Sequence, residues 1–147
     1  MFQNIYAILA LGIFCQLSTS TLAVQNITIS FFAADLNGCD DLSKCDAFVE
    51  LLCVTSLSDG RDCGKTKYIQ DDNYPVWPEE FTFSNTTGEV LRRWQIKVLD
   101  DDVAFNDVIA TVVLPFEEFV KATETQRNHK IDLGGRGSLY VTRVNSS

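Results

Sequence analysis

Seven short runs rich in β-branched and aromatic residues recur along this chain roughly every dozen residues. They are ITISFFAA, AFVELLCVTS, GKTKYIQ, EEFTFSN, RRWQIKVLD, VIATVVLPF and RGSLYVTRV, separated by polar connections that contain Gly, Pro, Asn or Asp. Successive side chains of such a run point to opposite faces of a sheet, so each strand has an apolar face that needs a second layer to cover it. A helix is legible only in PFEEFVKATETQ, between the last strands. The pattern predicts an all-β antiparallel sandwich, and 147 residues without a repeat or low-complexity tract form one domain.

The chain begins differently. No charged side chain precedes Asp35, and IYAILALGIF is followed by QLSTSTLA, whose Thr21 and Ala23 are small enough for a signal-peptidase site. Met1 to Ala23 is therefore expected to be a cleaved secretory signal, because the apolar run from Ile5 to Leu17 is shorter than the roughly 20 residues that span a bilayer. The expected mature domain is residues 24–147, secreted and extracellular. It keeps the full net charge of -8, which disfavours nucleic acid as a partner.

Cysteine use fits an oxidising compartment. Cys15 leaves with the signal, and Cys39, Cys45, Cys53 and Cys63 remain. AFVELLCVTS, the turn SLSDGRDCG and GKTKYIQ form an expected hairpin with Cys53 and Cys63 on facing arms, so Cys53–Cys63 is the preferred pair and Cys39–Cys45 the remainder. Four cysteines allow three connectivities, and the sequence leaves the other two open. Asn-x-Ser/Thr triplets at Asn26, Asn85 and Asn145 mark candidate glycosylation sites of a secreted glycoprotein.

Acidic residues concentrate in two connections. Asp40, Asp41 and Asp46 occupy DLNGCDDLSKCD, while Asp100, Asp101, Asp102 and Asp107 occupy LDDDVAFND. Two carboxylates about 4 Å apart repel by roughly 4 kcal/mol at an effective dielectric near 20, so several facing inward call for a cation or for protonation. Calcium is a hard ion that takes many oxygen ligands and suits such a set. Neither loop has the glycine and distal glutamate of an EF-hand frame. Two separate solvated turns are the other reading of the same residues.

Three segments resemble the C2 domain, a calcium- and phospholipid-binding sandwich. CDAFVEL looks like the family's SDPYVxV, GKTKYIQDDNYPVWPEEFTF like TKxxxxxxNPxWNExFxF, and WQIKVLDDDVAFNDVIAT like LxIxVxDxDxxxxxDxIG. The likeness runs from about Ile27 to Val144. It implies an eight-stranded Greek-key β-sandwich with a short helix between the last strands. By position it makes Asp40 and Asp46 first-loop calcium ligands and Asp100 and Asp102 the pair opening the third loop, with Asp101 pointing outward. Asp107 resembles the last third-loop ligand, at an interval one residue shorter than the commonest pattern. Ala47 stands where the family usually has proline, and Ala110 where it usually has glycine.

The resemblance implies calcium as the cofactor and a phospholipid membrane surface as the partner of a monomeric domain, with an apolar contact from Leu42, Val103 and Phe105. Full burial of one larger side chain contributes about 1.5–3 kcal/mol, so docking by these residues alone is weak and reversible. Lys65 and Lys67 are expected to lie on a solvated strand face, and Trp77, Phe81, Phe83 and Trp94 to be structural aromatics. The chain's one histidine, His129, sits in NHKID without GxSxG or HExxH, so an enzyme is not expected. The alternative is a calcium-independent module that binds an extracellular protein.

Overall fold

In β1 (Asn26–Ala34), Ile27, Ile29, Phe31 and Ala33 are buried while the residues between them face outward. β5 (Leu91–Asp100) buries Trp94, Ile96 and Val98 in the same alternation. These two strands supply facing halves of one core. The other strands are β2 (Ala47–Thr55), β3 (Arg61–Lys65), β4 (Phe81–Ser84), β6 (Asp107–Pro115), β7 (Asn128–Asp132) and β8 (Ser138–Val144), with the helix α1 (Phe116–Ala122) between β6 and β7. The computed structural model describes residues 26–39, 44–84, 88–102 and 106–144.

The strands form two four-stranded antiparallel sheets, ordered β4-β1-β8-β7 and β3-β2-β5-β6. This is the eight-stranded C2-type sandwich that the sequence leads one to expect. Inward residues of β2 and β5 lie opposite each other in register, with Val49 against Val98, Leu51 against Ile96 and Cys53 against Trp94. Trp94 is fully buried, edge-on to Phe119 at 5.4 Å and to Phe83 at 5.4 Å, with Phe116 tilted at 5.7 Å. The four aromatics named above, Trp77, Phe81, Phe83 and Trp94, all belong to or pack against the core.

Both disulfides close as preferred. Cys53–Cys63 ties β2 to β3, and Cys39–Cys45 closes the first acidic connection. The second hairpin arm, however, is shifted. GKTKYIQ spans residues 64–70, whereas β3 ends at Lys65. The reason is Thr66: its hydroxyl accepts the Val49 amide at 2.9 Å, and its own amide donates to the Val49 carbonyl at 2.9 Å. A side chain thus replaces a backbone group in the ladder, and the chain runs on irregularly beside β2.

Two further elements depart from the sequence pattern. NHKID is the edge strand β7, paired with β8 from Asn128 opposite Thr142 to Asp132 opposite Ser138; polar, charged residues are what a solvent-facing edge tolerates. α1 is shorter than PFEEFVKATETQ because Thr123 ends it, with its amide and hydroxyl both donating to the Phe119 carbonyl at 2.9 and 2.8 Å. Among the described residues no helix is long and apolar enough to cross a membrane. The expected signal, residues 1–23, lies outside the described residues.

Trp94 gives a direct test of the core. Its indole Nε1 is buried without a hydrogen-bond partner, so Trp94→Phe removes bulk but no polar contact. Trp94→Ala should cost about 3–5 kcal/mol, read as a fall in the urea midpoint, and Trp94→Phe clearly less.

Candidate functional site

The strand ends fix where the acidic connections meet. β1 ends at Ala34, β2 begins at Ala47, β5 ends at Asp100 and β6 begins at Asp107. Ala47 is the register partner of Asp100, and Asp100 that of Asp107. Asp46, Asp100, Asp101, Asp102 and Asp107 therefore share one end of the sandwich, the loop pole.

Asp100 is the innermost of them, 3% exposed. Its Oδ1 accepts the Asp46 amide at 2.6 Å, while the Asp101 amide donates to the Asp46 carbonyl at 3.0 Å. The start of β2 is thus stitched to the end of β5 in both directions. Asp46 Oδ1 in turn accepts the Asp71 amide at 2.7 Å. The Asp102 amide donates to Asn106 Oδ1 at 3.4 Å, and Asp107 is exposed at the start of β6. Asp101 is partly exposed and borders a groove described below.

Some site residues lie outside the described residues: Asp40, Asp41 and Leu42 in the first loop, and Val103, Ala104 and Phe105 in the third. Among the described residues no three His, Cys, Asp or Glu side chains converge on one ligating point. The chemistry of the donors still fits a hard cation. They are carboxylates, the described cysteines are oxidised, and His129 faces Glu118 of α1 at 3.7 Å. Asp46, Asp100 and Asp102 are the described carboxylates at the ends of the two acidic connections, with Asp107 exposed at the start of β6.

Several supports of this pole carry no motif. Arg136, in the β7–β8 turn, donates from one guanidinium nitrogen to the Val108 and Ile109 carbonyls at 3.2 and 3.1 Å, fastening the start of β6. Its stem lies against Gly38, whose Cβ would sit 3.2 Å from Arg136 Cδ. Asn73 Oδ1 accepts the Cys45 amide at 3.1 Å. The Tyr74 hydroxyl donates to Asp35 Oδ1, and this hydrogen bond, reinforced by the carboxylate's charge, raises the phenol pKa. These partners are far apart in sequence, and no local pattern marks them.

On the outer face of the β3-β2-β5-β6 sheet, a groove of about 530 Å³ runs up to the third loop. Phe48 and Tyr68 line it with Lys65 and Lys67, and Asp101 and Asn106 close its upper end. The two lysines are exposed, as expected of a solvated face, but they share a concave surface with the acidic pole.

The β7–β8 turn that carries Arg136 depends on glycines with different tolerances. Gly134 and Gly137 both have positive φ, 69° and 104°. A Cβ on Gly134 meets nothing within 4 Å, whereas one on Gly137 would lie 2.6 Å from the Asp35 carbonyl oxygen. Gly137→Ala should destabilise by about 1–3 kcal/mol, and more than Gly134→Ala, whose cost is the left-handed backbone alone, about 1–2 kcal/mol. Paired urea melts check the order.

Comparison with known proteins bears on the whole architecture. The C2 domain family profile matches residues 26–133. Curated protein sequences give no significant match. A solved structure described as a C2 domain is 17% identical with a TM-score of 0.58, covering 82% of this chain and 98% of its own. A C2 domain of plant Extended Synaptotagmin 1 is 20% identical with a TM-score of 0.59, covering 82% and 96%. A calcium-bound pair of C2 domains from Extended-Synaptotagmin 2 is 17% identical with a TM-score of 0.57, covering 80% of this chain and 45% of that one. These likenesses describe the fold, and the profile match makes the chain a member of the C2 domain family.

Proposed function

We propose that this chain is a secreted, non-enzymatic calcium-binding module that docks reversibly on phospholipid membranes through its acidic loops. The observation that carries the reading is the meeting of Asp46, Asp100, Asp102 and Asp107 at one pole. Asp40, at a matching family position, completes the proposed ligand set. The calcium-bound state of the Extended-Synaptotagmin 2 domains supports the same assignment by likeness.

Without a cation the pole is negative and repels anionic lipid. Bound calcium supplies positive charge and coordination positions for phosphate oxygens. The chain's residues do the rest. Asp46, Asp100 and Asp102 present carboxylates from two adjacent strand ends, and the backbone bonds between residues 46 and 100–101 hold those ends together. Leu42, Val103 and Phe105, on the two loops, are the proposed apolar contacts with the headgroup region. Extracellular modules commonly bind calcium with dissociation constants of roughly 0.1–1 mM, so the site works as a standing feature outside cells.

Vesicle co-sedimentation tests the reading. The oxidised protein should pellet with anionic vesicles in calcium and stay soluble in chelator, and Asp100→Asn/Asp102→Asn should abolish the difference. Equal pelleting with anionic and neutral vesicles, with or without calcium, sinks the proposal and favours the protein-binding alternative.

Thermal stability supplies a second test. Calcium at ten times its dissociation constant should stabilise the native state by about 1.4 kcal/mol. For a domain of this size that is a rise in Tm of roughly 3–6 °C. No rise in the wild type, or the same rise in Asp100→Asn/Asp102→Asn, contradicts an aspartate-held site.

A further inference from the structure

The Asn-x-Ser/Thr triplet at Asn26 opens β1, and the strand register sets the ends of β4 and β8 beside it. Asn26 is the register partner of Ser84, the last residue of β4. Asn85 follows Ser84 directly in the chain. Thr28, the hydroxyl residue of the first triplet, is the register partner of Val144, the last residue of β8. Asn145 follows Val144 directly. Asn85 and Asn145 lie outside the described residues, but the strand ends that lead to them are fixed.

This end of the β4-β1-β8-β7 sheet is the far one from the acidic residues. β1 runs from Asn26 to Ala34 before the first acidic connection, a separation of roughly 26 Å at the usual strand rise. Asn26 is exposed and alternates with buried Ile27 and Ile29, so it stands on the sheet's outer face with Thr28. The surroundings are hydroxyl-rich. Thr28 Oγ1 is hydrogen-bonded to Thr82 Oγ1 at 2.8 Å, and Thr142 Oγ1 to Asn128 Oδ1 at 3.0 Å.

We propose that this far pole is the glycosylated pole of the molecule, with Asn26 as its described acceptor, and that the loop pole and the groove beside it stay bare. The inference rests on the secretion reading and adds an orientation to it: oligosaccharide points away from the surface on which the acidic loops dock. In the transfer, the Asn26 amide nitrogen attacks the anomeric carbon of a lipid-pyrophosphate-linked oligosaccharide. The N–C bond forms as the C–O bond to pyrophosphate breaks, the amide gives up one proton, and lipid pyrophosphate leaves.

The test uses the full chain secreted from cultured eukaryotic cells. Peptide mapping after N-glycosidase digestion should find Asn26 converted to Asp, and Asn26→Gln should lose one glycan mass from the intact protein. Unmodified Asn26 in the secreted protein overturns the proposal. The orientation has its own readout. Enzymatic removal of glycans should leave calcium-dependent pelleting unchanged, whereas the glycosylated fraction of Val108→Thr, which makes Asn106 an acceptor at the loop pole, should lose it and Val108→Ala should not. Stronger pelleting of deglycosylated wild type, or normal pelleting of glycosylated Val108→Thr, overturns the placement. A wild type that never pellets overturns the docking reading instead, while the masses still decide the glycan pole.

Discussion

The backbone around the start of β2 is the junction on which the loop pole depends. Among the described residues, Cys45, Asp46 and Ala47 make seven hydrogen bonds outside the strand ladders. The Ala47 carbonyl accepts the Ile69 amide at 3.0 Å and the Trp77 indole at 3.1 Å. The Cys45 carbonyl accepts the Asp72 amide and the Cys45 amide donates to Asn73. Asp46 contributes its amide, its carbonyl and a carboxylate oxygen to Asp100, Asp101 and Asp71. Such groups are costly to leave unpaired once shielded from water, so meeting them here dictates the path of the segment from Ile69 to Trp77 and the spacing of two acidic loops.

That junction also shows how negative charge is accommodated. Asp100 is buried, a position that disfavours a carboxylate unless donors face it, and the Asp46 amide is one such donor. Asp46 is met by the Asp71 amide in the same way. Peptide amides thus orient the two carboxylates. The pole is held by amides at its base and by Arg136 at its side.

Sequence legibility followed burial. β1, β2 and β5 were readable because one face of each is a continuous apolar row. The ends of β3 and the whole of β7 were not, since RDCGK and NHKID are edge strands whose pattern is set by solvent. The shift of β3 turned on Thr66, whose role as a substitute ladder partner becomes visible only when Val49 is beside it. At the site, the two acidic connections were visible in the composition, while spacing left two separate turns open and the individual aspartate positions came from the resemblance to the C2 family. Arg136 and Asn73 were not legible, because each acts across the fold on a backbone group that any residue would present, and neither was Asp71, which acts through its own backbone amide on Asp46 Oδ1.

The disulfides divide the work between scaffold and loop. Cys53–Cys63 lies within a sheet already held by its ladder, beside the fully buried Trp94. Cys39–Cys45 instead closes the segment carrying Asp40, holding its ends at a Cα separation of 5.3 Å. By the chain-entropy argument each closure contributes roughly 2–3 kcal/mol, but only the second limits the conformations open to a proposed ligand. A loop confined before binding loses less entropy when it closes on a cation. Asp46, next to Cys45, is already fixed by Asp71 and Asp100, so the cross-link joins Cys39, in the connection that leaves β1, to a segment that the fold already holds.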